Sequence, residues 1–366
     1  MEEEDPSNYP GSSVSRNHDR NPIGRNQWGP TAPLTEELRA EIEGLFYHNI
    51  TQSKRIMAEL SRKGYKIGDK VTQVMQDHAP EGFQQRAPGT KVIHRTQLHS
   101  NGPDDNWSMD GHDKLAKAGF EIYGIRDKFS GKFLYYVVLP SNRYAAVIGV
   151  VLLKCIKKYG KIPVQGSTDR GSEVRDAFSI HSTLRQVFAP DLIEELIPTW
   201  NFLPSYRNIT IERSWRPVFE KWGVNVLSFY NAGRYGGDFR QGDDLHQQTS
   251  NWIWYPLVQQ ELDTFCLEQN FHRVRKQKDK LLPSGGSADD FYFFPEKYGG
   301  QNCGIVVDMK IVDQLLDDAV EGQGRMRYVD EEFESLADAA YVAIGAPSID
   351  LHSAWIVFRH MIAQLS

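Results

Sequence analysis

Apolar residues recur first at helical spacing and later at strand spacing, and the change of period divides the chain. Over residues 1–33, Pro, Gly, Ser and Asn dominate with almost no aliphatic periodicity, the composition of a disordered tail. From residue 34 to 79 the period is helical. Thr35 is placed to N-cap a helix with Leu38, Ile42, Leu45 and Phe46 at helical spacing. Asn49 breaks it, and Thr51 can cap a second helix with Ile56, Met57 and Leu60 on one face. Beyond the turn at Gly64 and Tyr65, a third carries Val71, Val74 and Met75. Three short helices with a Gly-containing turn outline a helix-turn-helix-like module, with a plain helical subdomain as the alternative. Residues 80–106 contain Pro80, Gly82, Pro88, Gly89 and Pro103 and read as a linker, with one short strand at Lys91–Ile93.

The period then shortens. Trp107–His112, Phe120–Asp127 and Lys132–Leu139 predict strands, the last two joined by the turn Phe129–Gly131. Tyr144–Tyr159 predicts an apolar helix closed by Lys157, Lys158 and Gly160, and Ile162–Thr168 returns to strand. Three strands, a helix and a strand describe an antiparallel start followed by a crossover to a parallel strand, an α/β arrangement. Glu212 is expected to open a helix to about Trp222, with further helices at Asn251–Gln269 and Ala354–Leu365. These elements place a core at 107–230 and a mostly helical C-terminal extension at 231–366, acidic from Asp308 onward.

Composition narrows the class. The 366 residues are 40% hydrophobic and 25% charged, the profile of a globular protein without a membrane partner. The longest apolar run, Ala145–Ile156, is too short for a bilayer span, and the acidic start MEEEDPSNYP is not a secretory signal. Cys155, Cys266 and Cys303 are far apart and form no CxxC pair, which fits a reducing compartment and argues against a cysteine-built zinc site. A net charge of −6 argues against a protein whose only task is coating nucleic acid, and is compatible with an enzyme that binds DNA through local patches.

The candidate chemistry lies between Asn106 and Trp215. Asp110 sits in NWSMDGHDKL, Asp169 in VQGSTDRGSEV and Glu212 in RNITIERSWRPV, each at a strand edge or in a first helical turn. Three converging carboxylates suit two hard divalent cations, Mg²⁺ or Mn²⁺, the device for in-line displacement at phosphorus. Each acid has a plainer reading. A strand-end Asp is often a turn former, and Asp113 is a rival to Asp110. Asp169 could be a solvated turn residue, and Glu173 sits too near it to add an independent arm. Glu212 could be a first-turn acid favoured by the helix dipole. The cations Arg213, Arg216 and Lys221 follow Glu212, and Arg273, Arg275 and Lys276 lie in the basic run Phe271–Lys280 with Lys278 and Lys280. They are candidates for DNA phosphate contacts or ordinary solvated cations, and the second group also for a weak nuclear-import signal. Trp200, Trp215, Trp222, Trp252 and Trp254 are expected in the core. His112 is expected to be structural or to line the site.

In this order the motifs resemble the catalytic core of retroviral-type integrases and DDE transposases, and still more the integrase-core-like proteins of eukaryotic mobile-element origin. The resemblance runs from about Leu34 to Pro295 and is firmest from Trp107 to Trp215. It implies an RNase H-like core, a mixed five-stranded sheet flanked by helices, with Asp110, Asp169 and Glu212 as catalytic metal ligands. It implies 3′-end cleavage and strand transfer on double-stranded DNA by a homo-oligomer, in the nucleus or alternatively the cytoplasm. The stretch Asn270–Pro283, with His272 and Arg275, resembles the family's basic segment after the core. Three features depart from it: the interval from Asp169 to Glu212 is long, no His-His-Cys-Cys module precedes the core, and Arg170 stands where many relatives have Asn. Two other readings are a dormant, domesticated DNA-binding or interaction protein and an RNase H-like nuclease that cuts without joining.

Overall fold

Both faces of a five-stranded sheet are covered in this chain, and that sets the pattern of its strands. The computed structural model describes residues 33–47, 53–65, 70–78, 98–204, 207–278 and 280–366. The tail (Pro33 apart) and the strand expected at Lys91–Ile93 lie outside the described residues. The chain divides into two compact units, Met1–Thr96 and Gln97–Ser366.

In the first unit the three expected helices are α1 (Glu36–Tyr47), α2 (Ser53–Arg62) and α3 (Lys70–His78). Leu38, Ile42, Ile56, Leu60, Val71 and Val74 form their buried core. Thr35 Oγ1 accepts the Leu38 N–H at 3.2 Å, the expected N-cap contact. Gly64, at φ 88°, makes the turn after α2.

The second unit is built on β1 (Asn106–His112), β2 (Glu121–Asp127), β3 (Phe133–Leu139), β5 (Gln165–Thr168) and β6 (Trp200–Phe202). Their order in the sheet is β3-β2-β1-β5-β6. The β1–β2 and β2–β3 pairs are antiparallel, while β1–β5 and β5–β6 are parallel. This mixed five-stranded sheet with flanking helices is the expected RNase H-like arrangement. In β3 the residues Phe133, Tyr136 and Val138 join one hydrophobic cluster, and Leu134, Val137 and Leu139 join the other. A strand buried on both faces has no polar alternation, hence the unbroken apolar run FLYYVVL. The helices α4 (Ala145–Tyr159) and α5 (Arg175–Phe188) contribute to the second cluster. The first takes in α6 (Ile209–Pro217), α7 (Val224–Tyr235) and α8 (Asp244–Phe271). Two C-terminal helices, Glu331–Ala343 and Ala354–Leu365, complete it. No helix among the described residues is long and apolar enough to cross a membrane.

The elements differ from the expected ones in five places. The strand expected over Ile162–Thr168 is split at Pro163, which has no N–H for a ladder. Lys161–Ile162 (β4) instead pairs with Ile305–Val306 (β7) in a separate two-stranded sheet, leaving Gln165–Thr168 to the main one. The three-residue β6 carried no legible period. The helix bearing Glu212 starts at Ile209 and passes through a π-helical turn, Val218–Gly223, into α7. Pro217, without an N–H, breaks the α-helical ladder there and the wider turn absorbs the break. Finally α8 begins earlier than expected, at Asp244, because Asp243 caps it by accepting the His246 N–H. The end of the stretch expected as linker is built into the second unit: buried Asp104 accepts from Trp107 Nε1 at 2.8 Å and from the Tyr292 hydroxyl at 2.9 Å.

Candidate active site

Strand register brings the first two acids together. β1 and β5 run parallel and pair Ser108 with Ser167. Asp110 lies two residues beyond one member of that pair and Asp169 two beyond the other, so both reach the same edge of the sheet, where sites in α/β folds gather. The third acid comes from α6, whose first turn carries Glu212. Asn208, just before that helix, donates through Nδ2 to the Met109 carbonyl at 3.1 Å and pins the helix start beside Asp110.

Asp110, Asp169 and Glu212 line one cleft of about 470 Å³, together with His112, Asp113 and Trp215. Asp110 is half-buried and its carboxyl is pushed up to about 7. Burial is the main cause; the Trp215 hydrogen bond opposes it, and the charges of Glu212 and Asp169 add to it. Burial and the charge of Asp169 also raise Glu212. The acids therefore feel one another across the cleft. Among the described residues no three His, Cys, Asp or Glu side chains converge closely enough to hold a single ion.

The rival Asp113 lines the same cleft, but its oxygens are engaged: Arg143 Nη2 donates to Oδ2 and Asn142 Nδ2 to Oδ1, both at 3.1 Å. His112 is buried and stacked on Trp215, with its pKa lowered to about 4 by burial and by Lys114. Of the six candidate DNA contacts only Arg216 lines the cleft, where its guanidinium meets Glu220 at 3.0 Å. Burial chiefly disfavours the charged forms of half-buried Arg126 and of Lys280, and the charge of exposed Arg213 adds to it. Lys221, Arg275 and Lys276 are exposed outside the cleft, and Arg273 donates to the Gly285 carbonyl.

Trp215 lies in the core as expected and also faces the site. It is buried, but its Nε1–H donates to Asp110 Oδ2 at 2.9 Å and its ring forms a wall of the cleft. Lys114 and Phe219, also unmarked by the sequence reading, form a cation–π pair at 4.8 Å on that wall. The available signal for Trp215 was its spacing, three residues after Glu212 and so on the same side of a helix. The family model described as integrase core domain matches residues 98–283, just over half of the chain's 366. No curated protein matches the chain.

Proposed function

Because the chain belongs to the integrase core-domain family, we propose that it cleaves and joins double-stranded DNA, with Asp110, Asp169 and Glu212 as catalytic, cation-holding carboxylates. The observation that carries this reading is their meeting in one cleft from β1, from the residue after β5 and from α6. The donor set fits the cations: it is all oxygen, and partial burial beside two other carboxylates disfavours ionised Asp110 until positive charge arrives. A pair of ions sharing these acids asks each ion for only some of the three, so threefold convergence on one point is not required. When bound, Mg²⁺ or Mn²⁺ supplies activation of an attacking hydroxyl and neutralisation of the leaving 3′ oxygen.

The chain's own side chains do the rest. Asp110 and Asp169 present charge at the sheet edge, and Glu212 presents it from the helix. Arg216, held by Glu220, faces the cleft where a DNA phosphate would compete for it. Arg213, Lys221, Arg273, Arg275 and Lys276 are assigned to the DNA backbone farther from the reacting atoms. The helical module of residues 34–79 is assigned to DNA reading, the core to residues 107–230 and the extension to 231–366. The working form is a homo-oligomer in the nucleus.

The test is Mn²⁺-dependent joining of a labelled duplex oligonucleotide with a free 3′-OH to plasmid DNA. Asp169→Asn should abolish joining while circular dichroism stays that of the parent. Undiminished joining in that variant sinks the assignment. Cutting without joining favours a nuclease, and an inactive parent that still binds the duplex favours a domesticated binding protein.

A further inference from the structure

A chain of contacts around Trp215 begins at Asp110 and ends on the helix that carries Glu212. The indole N–H donates to Asp110 Oδ2 at 2.9 Å. Its ring is fixed from several sides. His112 stacks on it with centroids 4.7 Å apart and planes 11° from parallel. Tyr136 meets it edge-on at 5.5 Å. Its far corner reaches over Gly124, where a Cβ would lie 2.8 Å from Cη2. Gly124 is the residue paired with Asp110 across β1 and β2, so the strand beside the acid leaves the room the ring occupies. Tyr136 also donates its hydroxyl to Ser214 Oγ at 2.8 Å, which ties the residue before Trp215 to β3.

We infer that Trp215 is a positioning residue whose indole N–H sets the orientation of the Asp110 carboxylate and, from one turn beyond Glu212, fixes the spacing of the two acids. The inference rests on the cation-dependent reading above. A charge-assisted hydrogen bond from a ring that cannot swing removes rotamer freedom from a half-buried carboxylate. Asp110 and Glu212 then meet the cations as a preformed pair. Partners that orient metal-ligating side chains carry roughly 10- to 100-fold of metal affinity.

The experiment uses the full chain and three proteins: the parent, Trp215→Phe and Asp110→Asn. Phenylalanine keeps an aromatic ring beside His112 and Tyr136 but removes the donor together with the corner that lies over Gly124. Mn²⁺ binding is read by the electron paramagnetic resonance of the free ion, without DNA. Trp215→Phe should bind Mn²⁺ about 10-fold or more weakly, the low end of that range, with circular dichroism unchanged. The Mn²⁺ concentration for half-maximal joining should rise by a similar factor, with the rate recovering at saturating Mn²⁺. A merely structural tryptophan would lower the plateau instead. Binding within twofold of the parent, while Asp110→Asn loses it, overturns the inference and leaves the cation reading standing. Equal Mn²⁺ binding by the parent and Asp110→Asn overturns both, and that arm identifies the cause. A second readout leaves Trp215 in place: of the eight tryptophan indole N–H resonances in a ¹⁵N-labelled sample, one should move in Asp110→Asn. That signal should also broaden with Mn²⁺ in the parent. No moved resonance means no indole–carboxylate bond, and the inference falls.

Discussion

At Gly124 the cleft depends on a missing methyl group. A Cβ there would stand 2.7 Å from Tyr136 Cε1 as well as 2.8 Å from Trp215 Cη2, and each ring is already packed on another, Tyr136 on Phe133 and Trp215 on His112. Gly124→Ala should therefore destabilise the fold by about 1–3 kcal/mol, the usual range for overpacking a filled site. Urea unfolding of variant and parent measures this; a loss below about 0.5 kcal/mol, within the range of neutral surface changes, would show that the rings yield. Such a dependence is invisible in the sequence, where Gly124 reads as a weak point in a strand. The acids were legible because each stands where a period ends: Asp110 and Asp169 at strand ends, Glu212 in a first helical turn. Trp215 was not, because an indole ring predicts burial by its size while its N–H partner lies 105 residues away.

Among the elements, β3 shows how an edge strand is closed by side chains. It is the outer member of the sheet, and unpaired edge groups invite association with another strand. Asn270 meets both backbone groups of Phe133, accepting its N–H at 2.8 Å and donating to its carbonyl at 3.0 Å. Gln259 does the same farther along, accepting the Val138 N–H at 2.8 Å and donating to the Tyr136 carbonyl at 3.1 Å. Both amides project from α8, so that helix supplies the ladder a sixth strand would have supplied. The two contacts differ in worth. Asn270 and Phe133 are buried, whereas Gln259 is half-buried and within reach of water. Removing one partner of a buried pair strands the other, at roughly 1–3 kcal/mol per group. Asn270→Ala should thus cost more than Gln259→Ala in urea unfolding and should speed hydrogen exchange at the Phe133 amide. Equal costs would contradict the burial argument. The apolar periods of α4 and α8 and of the first three strands were readable in advance because they depend on neighbouring residues. Neither β6 nor the amide ladder was, because both depend on contacts made across the fold.

For the molecule as a whole, stability should depend on pH through a histidine remote from the acids. His181 of α5 is fully buried, with Nε2 2.8 Å from the Pro163 carbonyl and no partner for Nδ1 among the described residues. Burial lowers its pKa to about 4; the Pro163 contact resists, the Arg185 charge adds to the lowering and Glu194 offsets a little of it. Trp200 closes the ring from β6 at 5.5 Å. Next to it, buried Arg185 donates to the Val164 carbonyl at 3.1 Å and to the Ile197 carbonyl at 2.5 Å. Together the two side chains hold the approaches to β5 and β6, and β5 runs into Asp169. An unfolded histidine takes up its proton near pH 6.5, whereas His181 in the fold does so only near pH 4. Its contribution is therefore fully present above pH 6.5 and is lost as pH falls through the window between those values. At pH 5 the loss from this group alone is about 2 kcal/mol relative to pH 7.5. Buried Asp127 works in the opposite sense: burial and the nearby charge of Asp104 raise its carboxyl pKa, so its protonation favours the fold as pH falls. A simple acid titration of the parent would mix these effects with those of Asp110, raised in the fold, and His112, lowered in it. Comparison with His181→Gln isolates the histidine, because glutamine has a side-chain N–H to offer Pro163 and does not titrate. Parent and variant are unfolded in urea at pH 7.5 and pH 5. The parent should lose about 2 kcal/mol more than His181→Gln across that interval, and equal losses would mean that His181 titrates in the fold as it does in the open chain.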